Sequence, residues 1–531
     1  VEWGLVLLLV IVAILLRIQN LGLNALWLDE IFTSVLSWPD KNYSEVIRGA
    51  LSTPLPTPPL LYLISNTWMR LFGFSETIIR VPSVIVGGLG IFAMYLAGKS
   101  IFNQNVGFTA AVLLVFSNRH LYFSREARYY PYFVVFTILT TLFLLKGLKN
   151  NQTKDWVGYT IFTILNTQLF LTTILVTGAQ ALYVVGLFIY KKFKEKLKFE
   201  HGWFKDSRLR SFIISSFYVF LVFSPWMPIF LEGLIGKRGV GAETPRVLNL
   251  HSLLSIFNQF GGGSGLLNQI LFFSAAFIGI FFGLKKYWRE ILLFLLTMFV
   301  PLGVVRMLGP SHFLNNKYFI FILPIYLLTV SLGINIIVKY IADLFQQKKV
   351  SKWVNSILLI LVLASTVYII YPNVMKGLRP KRVGSEWRAM SRVANTILGP
   401  DDVFLVYPRN IFLTMDPKPI LDIYFDPANS AQESVFNVTT VSGEMGLEAY
   451  FDKYEHVLFI YVTELTDSVN FRSRQENMIE ISEWLNQYPY TELIYGRYSL
   501  VYFGKESKKP ELNKIINTTL KKVKQKYSID K

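Results

Sequence analysis

Residues 58–73 read PPLLYLISNTWMRLFG. The stretch is apolar, but short and interrupted for a bilayer span, which takes about 20 residues. On a helical wheel Leu60, Ile64, Trp68, Leu71 and Phe72 share one side, and Asn66, Thr67 and Arg70 share the other. That two-sided pattern predicts a helix lying in the membrane interface. The choice matters because every later segment changes side if this one crosses.

Outward from it, apolar runs predict spans at 4–19, 80–98, 106–122, 131–147, 156–171, 173–190, 211–231, 267–284, 290–308, 318–339 and 354–372. That is about eleven helices near spanning length. The first run, Leu5–Leu16, has no basic region before it and no small-residue cleavage pattern after it, so it reads as a retained span. With 58–73 flat and the N-terminus inside, the inner loops hold Lys99, then Lys146, Lys149 and Lys154, then the basic segment 191–210. They also hold Lys285, Lys286 and Arg289, and finally Lys348, Lys349 and Lys352. The positive-inside rule selects this arrangement over its inverse. Arg17 alone dissents, at the outer end of the first span. The reading is an integral protein of the cell membrane with a cytoplasmic N-terminus.

Composition agrees. The 531 residues are 52% hydrophobic and 17% charged, against roughly a quarter charged in soluble proteins. The net charge of +18 collects in loops between spans, and no nucleic-acid recognition module accompanies it. With no cysteine, disulfides, thiolate metal sites and cysteine nucleophiles are excluded. His120, His251 and His312 are scattered without regular spacing, so a metal is possible but not indicated, and no cofactor is implied.

Three pieces lie on the outer side in this topology: the loop 20–79, the loop 232–266 and the C-terminal part. The second contains Gly261–Gly263, Ser264 and Gly265, which read as a flexible connection or a lid. Beyond residue 372 the pattern changes. Val403–Tyr407, Ile420–Phe425, Val457–Val462 and Leu493–Phe503 read as strands, and Trp387–Leu398 and Arg474–Gln487 as helices between them. This predicts a transmembrane domain over 1–372, an extracytoplasmic α/β domain over 373–504 and a basic tail over 505–531.

Three outer-side features could carry chemistry. Asp29-Glu30 follows an apolar stretch at the membrane surface. It could cap the next helix, or supply a general base for an attacking hydroxyl. Ser124-Arg125-Glu126-Ala127-Arg128-Tyr129-Tyr130 puts three charges in four residues between two spans, denser than a span end requires. Arginine suits bidentate contact with phosphate. Lys317-Tyr318 opens the tenth span, as a snorkelling lysine or as a second cation for a lipid phosphate.

Taken in order, these motifs resemble the GT-C fold glycosyltransferases of family 39, a group that includes protein O-mannosyltransferases and the aminoarabinose transferases of lipid A. The resemblance rests on Asp29-Glu30, Pro58-Pro59 through Leu71-Phe72-Gly73, Arg80-Val81-Pro82-Ser83, Ser124–Tyr130, Pro225-Trp226 and Lys317-Tyr318. The chain departs from the pattern at Thr57, where many relatives carry His, and at Thr173–Gly178. The resemblance implies a polyprenyl-phosphate sugar donor and a single inverting displacement. It implies Asp29 as base, Glu30 orienting acceptor or base, and Arg128 and Lys317 on the departing phosphate. Arg125 and Tyr318 join the phosphate site, and Glu126, Tyr129 and Arg80 are further candidates. The acceptor would be a hydroxyl on protein, lipid or glycan. Two other readings compete: a lipid-sugar flippase, which would need charged mid-span residues and repeats that are not evident, and an inactive membrane scaffold.

Overall fold

The structure is a computed structural model. It describes residues 2–53, 57–194, 206–234, 249–263, 265–307, 316–344 and 348–378, and the strands 403–407, 433–435, 456–462, 490–495 and 498–504. The chain divides into two compact units. One comprises Val1–Leu21, Leu36–Gly239 and Pro245–Arg379; the other comprises Gly22–Val35, Val240–Thr244 and Pro380–Lys531.

The helices run α1 (Glu2–Ile18), α2 (Leu28–Leu36), α3 (Tyr43–Leu51), α4 (Leu60–Phe72), α5 (Val81–Ile101), α6 (Gln104–Val115), α7 (Asn118–Phe123), α8 (Tyr130–Asn150), α9 (Thr153–Thr167) and α10 (Ile174–Lys194). They continue as α11 (Ser207–Phe223), α12 (Met227–Leu234), α13 (Leu250–Phe260), α14 (Leu266–Met307), α15 (Ile322–Asp343) and α16 (Lys348–Leu378). Among the described residues seven helical segments are long and apolar enough to cross a membrane. Helices α1, α6 and α9 are shorter, and α14 counts once.

Helix α14 is two legs. Its 42 residues would reach about 63 Å if straight, twice a bilayer core. Tyr287 leaves the helical region at φ −123°, ψ 36°. A Cβ built on Gly283 would stand 2.6 Å from the Ile291 side chain, eight residues on and about 12 Å away in a straight helix. The chain therefore folds back at Tyr287, beside Lys285, Lys286 and Arg289, where a loop separated two expected spans.

The expected span 106–122 is corrected. Helix α6 stops at Val115, Ser117 turns extended (φ −66°, ψ 111°), and its side chain caps the short α7 by accepting from the His120 N–H. The apolar run continues across the break, so hydropathy does not reveal it. The run Leu493–Phe503 is likewise not one strand. It divides into β4 (Tyr490–Tyr495) and β5 (Tyr498–Gly504), paired antiparallel. With β1 (Val403–Tyr407), β2 (Glu433–Val435) and β3 (His456–Val462) they form a mixed sheet of order β2-β1-β3-β5-β4. The pairs β1–β2 and β1–β3 are parallel. The expected elements at 387–398, 420–425 and 474–487, and the tail, lie outside the described residues.

Helix α4 is amphipathic as the pattern requires, but its polar side is pinned rather than solvated. Asn66 is fully buried and its Nδ2 donates to the carbonyls of Trp38 (2.8 Å), Lys41 (3.1 Å) and Ser37 (3.3 Å). Arg70 Nε donates to Pro39 O at 3.0 Å and stacks over Tyr43. On the other side Leu71 and Phe72 stay exposed, the stripe an interfacial helix turns to lipid. Asn42 closes a capping box with Glu45 at the start of α3. The loop 20–79 thus contains three helices, α2, α3 and α4.

Small residues set the closest helix contacts, as in membrane bundles generally. Gly98 of α5 faces the Gly107 backbone of α6, and Gly279 and Gly333 bring α14 and α15 to backbone contact. Gly261, Gly262 and Gly263 pack against side chains of α14 and α16. Gly262 and Gly263 have φ of +91° and +108°, and Asn373 of α16 donates to Gly262 O at 2.7 Å. Gly333→Leu should therefore lower the Tm of the detergent-purified protein, since overpacking costs roughly 1–3 kcal/mol or more. Gly186→Ala, with open space around it, should leave Tm unchanged or raise it through helix propensity. Equal effects of the two substitutions would contradict this packing.

Candidate functional site

The break after Val115 builds the first part of the site. Polar side chains stand where a continuous helix would have kept the chain moving through apolar surroundings. His120 and Ser124 are fully buried, and Ser124 Oγ donates to His120 O at 2.6 Å. Arg17, also fully buried, places Nη2 2.8 Å from His120 Nδ1 and donates through Nη1 to Ala13 O at 2.9 Å. The residue that dissents from the charge rule thus faces the protein interior, where intramembrane charges belong, and ties α1 to α7. Arg119 bonds Gln259 and so ties α7 to α13.

Next come the arginines of the 124–130 segment. Arg125 Nη2 donates to Gln19 O at 2.6 Å, and Arg80 Nη1 to Leu21 O at 2.7 Å. Both fasten to the chain leaving α1. Burial, and then the neighbouring Arg80 charge, lower the Arg125 pKa to about 10. It stays cationic at neutral pH. Ser83 Oγ donates to Arg128 O at 3.2 Å, fixing the backbone that carries Arg128. Glu126 is buried in the same turn.

Arg128 lies over the face of Tyr129, 4.5 Å from its centroid, with Nη2 3.2 Å from the Tyr129 hydroxyl. Tyr129 stacks on Phe133 (4.8 Å) and on Phe170 (4.9 Å). Phe170 stacks in turn on Tyr318 at 5.1 Å. Lys317 Nζ stands 5.2 Å from the Tyr318 ring. One aromatic stack therefore links Arg128 to Lys317, from segments 189 positions apart in the chain (317 − 128). Each cation–ring contact contributes roughly 0.5–2 kcal/mol, and each stacked pair about 0.5–1.5 kcal/mol beyond burial.

The sequence does not single out Phe170. It is one more aromatic residue at a span end, and only the turn 171–173 brings it inward. Thr173, at the second departure from the family pattern, holds that turn by donating to Phe170 O (2.8 Å) and Asn166 O (2.9 Å). Thr57, at the first, lies with its hydroxyl 3.2 Å from that of Tyr62.

Asp29 and Glu30 belong to the other compact unit. They open α2, in its first turn. Glu30 is fully buried, and its Oε2 accepts from the Trp27 N–H at 3.3 Å, the backward reach of a capping box. Asp29 is half-buried, and its carbonyl accepts from the Thr33 hydroxyl. The helix-capping reading of this pair thus holds for Glu30, whose carboxylate has a structural bond. Among the described residues no group of three or more His, Asp or Glu side chains could hold a metal ion. His251 is exposed on α13, and His312 lies outside the described residues.

Residues 56–228 match the family "Dolichyl-phosphate-mannose-protein mannosyltransferase". Dolichyl-phosphooligosaccharide-protein glycotransferase 1 of Pyrococcus horikoshii is 29% identical over 186 residues. That match covers 32% of this chain and 19% of the relative, so the chain spans about a fifth of that protein's length. In fold, the chain is similar to ArnT from Cupriavidus metallidurans in the apo state, with a TM-score of 0.57, 12% identity, and coverage of 94% of this chain and 98% of that one. The ArnT structure bound to undecaprenyl phosphate gives a TM-score of 0.56 at 12% identity, over 95% and 98% of the two chains. The apo oligosaccharyltransferase of Archaeoglobus fulgidus gives 0.53 at 12% identity, over 86% and 69%.

Phe170→Ala should lower Tm by removing two stacked pairs, while Phe170→Tyr should retain it; equal loss in both would argue against the stack. Residues 56–228 match the sequence model of this mannosyltransferase family, and the chain is similar in fold to ArnT over nearly its whole length.

Proposed function

We propose that the chain moves a monosaccharide from a polyprenyl-phosphate donor to an acceptor hydroxyl on the outer face of the membrane. The observation that carries this reading is the stack joining Arg128 to Lys317, two cations held at span ends where a lipid phosphate lies. The similarity in fold to a protein solved with undecaprenyl phosphate supports it. In this reading Arg128 and Lys317 bind the donor phosphate, and Arg125 and Tyr318 complete its surroundings.

The step is a single inverting displacement. The acceptor oxygen attacks the anomeric carbon as the bond from that carbon to the phosphate oxygen breaks. The electron pair leaves with the lipid phosphate, and Arg128 and Lys317 stabilise the charge that grows there. The acceptor proton passes to the Asp29 carboxylate. Asp29 is assigned as base from its place in the Asp-Glu pair of the family pattern. Glu30 holds the first turn of α2 and so orients Asp29. Glu126, Tyr129 and Arg80 shape the phosphate site. In this reading the 1–372 region carries the reaction.

Transfer from a panel of radiolabelled polyprenyl-phosphate monosaccharides tests this. Asp29→Asn should lower kcat by about 10²–10⁴-fold, the usual worth of a general base, with little change in donor KM. Arg128→Ala should raise donor KM by about 10-fold or more, as for a lost charge-assisted hydrogen bond. Undiminished transfer by Asp29→Asn would remove Asp29 from the step. No transfer from any donor by the wild-type protein would overturn the reading.

A further inference from the structure

The opposite end of the bundle holds a concavity separate from the proposed reaction. The last turns of α5, α8 and α10, the first turn of α11 and the fold-back of α14 surround a cavity of about 870 Å³. Six cations line it, Lys146, Lys149, Lys191, Lys194, Arg208 and Arg289, against two carboxylates, Asp206 and Glu290. Among the described residues only Lys191 of the six has a carboxylate within ion-pair distance, Asp206 at 3.1 Å. Lys146 and Arg289 lean instead on the rings of Phe143 and Trp288.

The positive-inside rule explains cations at this end of the spans. It does not explain why six of them, from four separate segments, converge on one hollow. Like charges gathered around a cavity repel one another, and an anion seated among them removes that cost. The apolar part of the lining, with Leu142, Leu145 and Phe188, is poorly suited to a small hydrated ion. Within three turns of Lys191, helix α10 also exposes Leu182, Val185 and Ile189, an apolar path suited to acyl chains.

We propose that this hollow seats the phosphate headgroup of an anionic phospholipid, with its chains against the apolar surface of α10. Basic pockets between span ends on this side of a membrane are suited to such headgroups. Lys146 is half-buried, so its charge can meet the phosphate below the level of the exposed Lys149, Lys194 and Arg208.

Native mass spectrometry of the full chain, titrated with phosphatidylglycerol or phosphatidylcholine, tests the proposal. The wild-type protein should retain phosphatidylglycerol in preference to phosphatidylcholine. Lys149→Gln with Arg208→Gln should weaken that binding about 30-fold, the loss expected for two near-surface charges. Lys285→Gln with Lys286→Gln removes the same charge from exposed positions outside the hollow and should have little effect. Lys194→Gln with Arg289→Gln provides a second lining pair should the first fail to fold. Equal loss in the lining and control pairs would show diffuse attraction and overturn the site. So would no loss in either lining pair. Glycerol phosphate binding as tightly as the lipid would show a free-phosphate site and overturn the lipid assignment.

Discussion

Cations at the lip of an apolar bundle must be held in place and kept charged, and the stack from Arg128 through Tyr129, Phe170 and Tyr318 to Lys317 meets that constraint. A ring face attracts a cation without neutralising it. The rest of the unit serves this arrangement. The break after Val115 frees the segment that carries Arg125 and Arg128. Arg17 and His120 lock the short helix that follows the break. The Thr173 turn swings Phe170 into line.

The two ends of the bundle differ in a way that follows from the charge pattern. Glu2 at the start of α1 bonds Tyr95 and Lys99 at the end of α5, so the helices run antiparallel. Lys146, Lys149, Lys191 and Arg289 gather around one hollow, which puts the loops that the sequence assigns to one side together at one end. Arg80, Arg125 and Gln19 meet at the opposite end of those helices. Glycine contacts between α5 and α6, and between α14 and α15, let the backbones approach closely enough for short helices to pack.

Much of this was legible in the sequence, because apolar length and loop charge are local properties. Most of the long apolar helices and the amphipathic α4 could be read that way. The break at 116–117 could not, since Phe116 and its neighbours continue the apolar run and only the Ser117 cap ends the helix. The burial of Asn66 depends on three carbonyls from residues 37–41, which no periodicity within α4 reveals. Gly496-Arg497 interrupts the pattern of 493–503 too briefly to separate β4 from β5 by hydropathy. Phe170 was invisible because its role arises from partners distant in sequence. Asp29 and Glu30 were found as a pair, but the bond from the Trp27 N–H to the Glu30 carboxylate was not legible.

The central claim is that Arg128 and Lys317 act on one phosphate. A double-mutant cycle on the binding of a polyprenyl phosphate to the purified full chain tests it most directly. If both cations hold the same anion, Arg128→Ala and Lys317→Ala should each weaken binding, and the double variant should fall short of the sum by about 0.5–3 kcal/mol. Strictly additive losses, or unchanged binding in either single variant, would contradict a shared phosphate site.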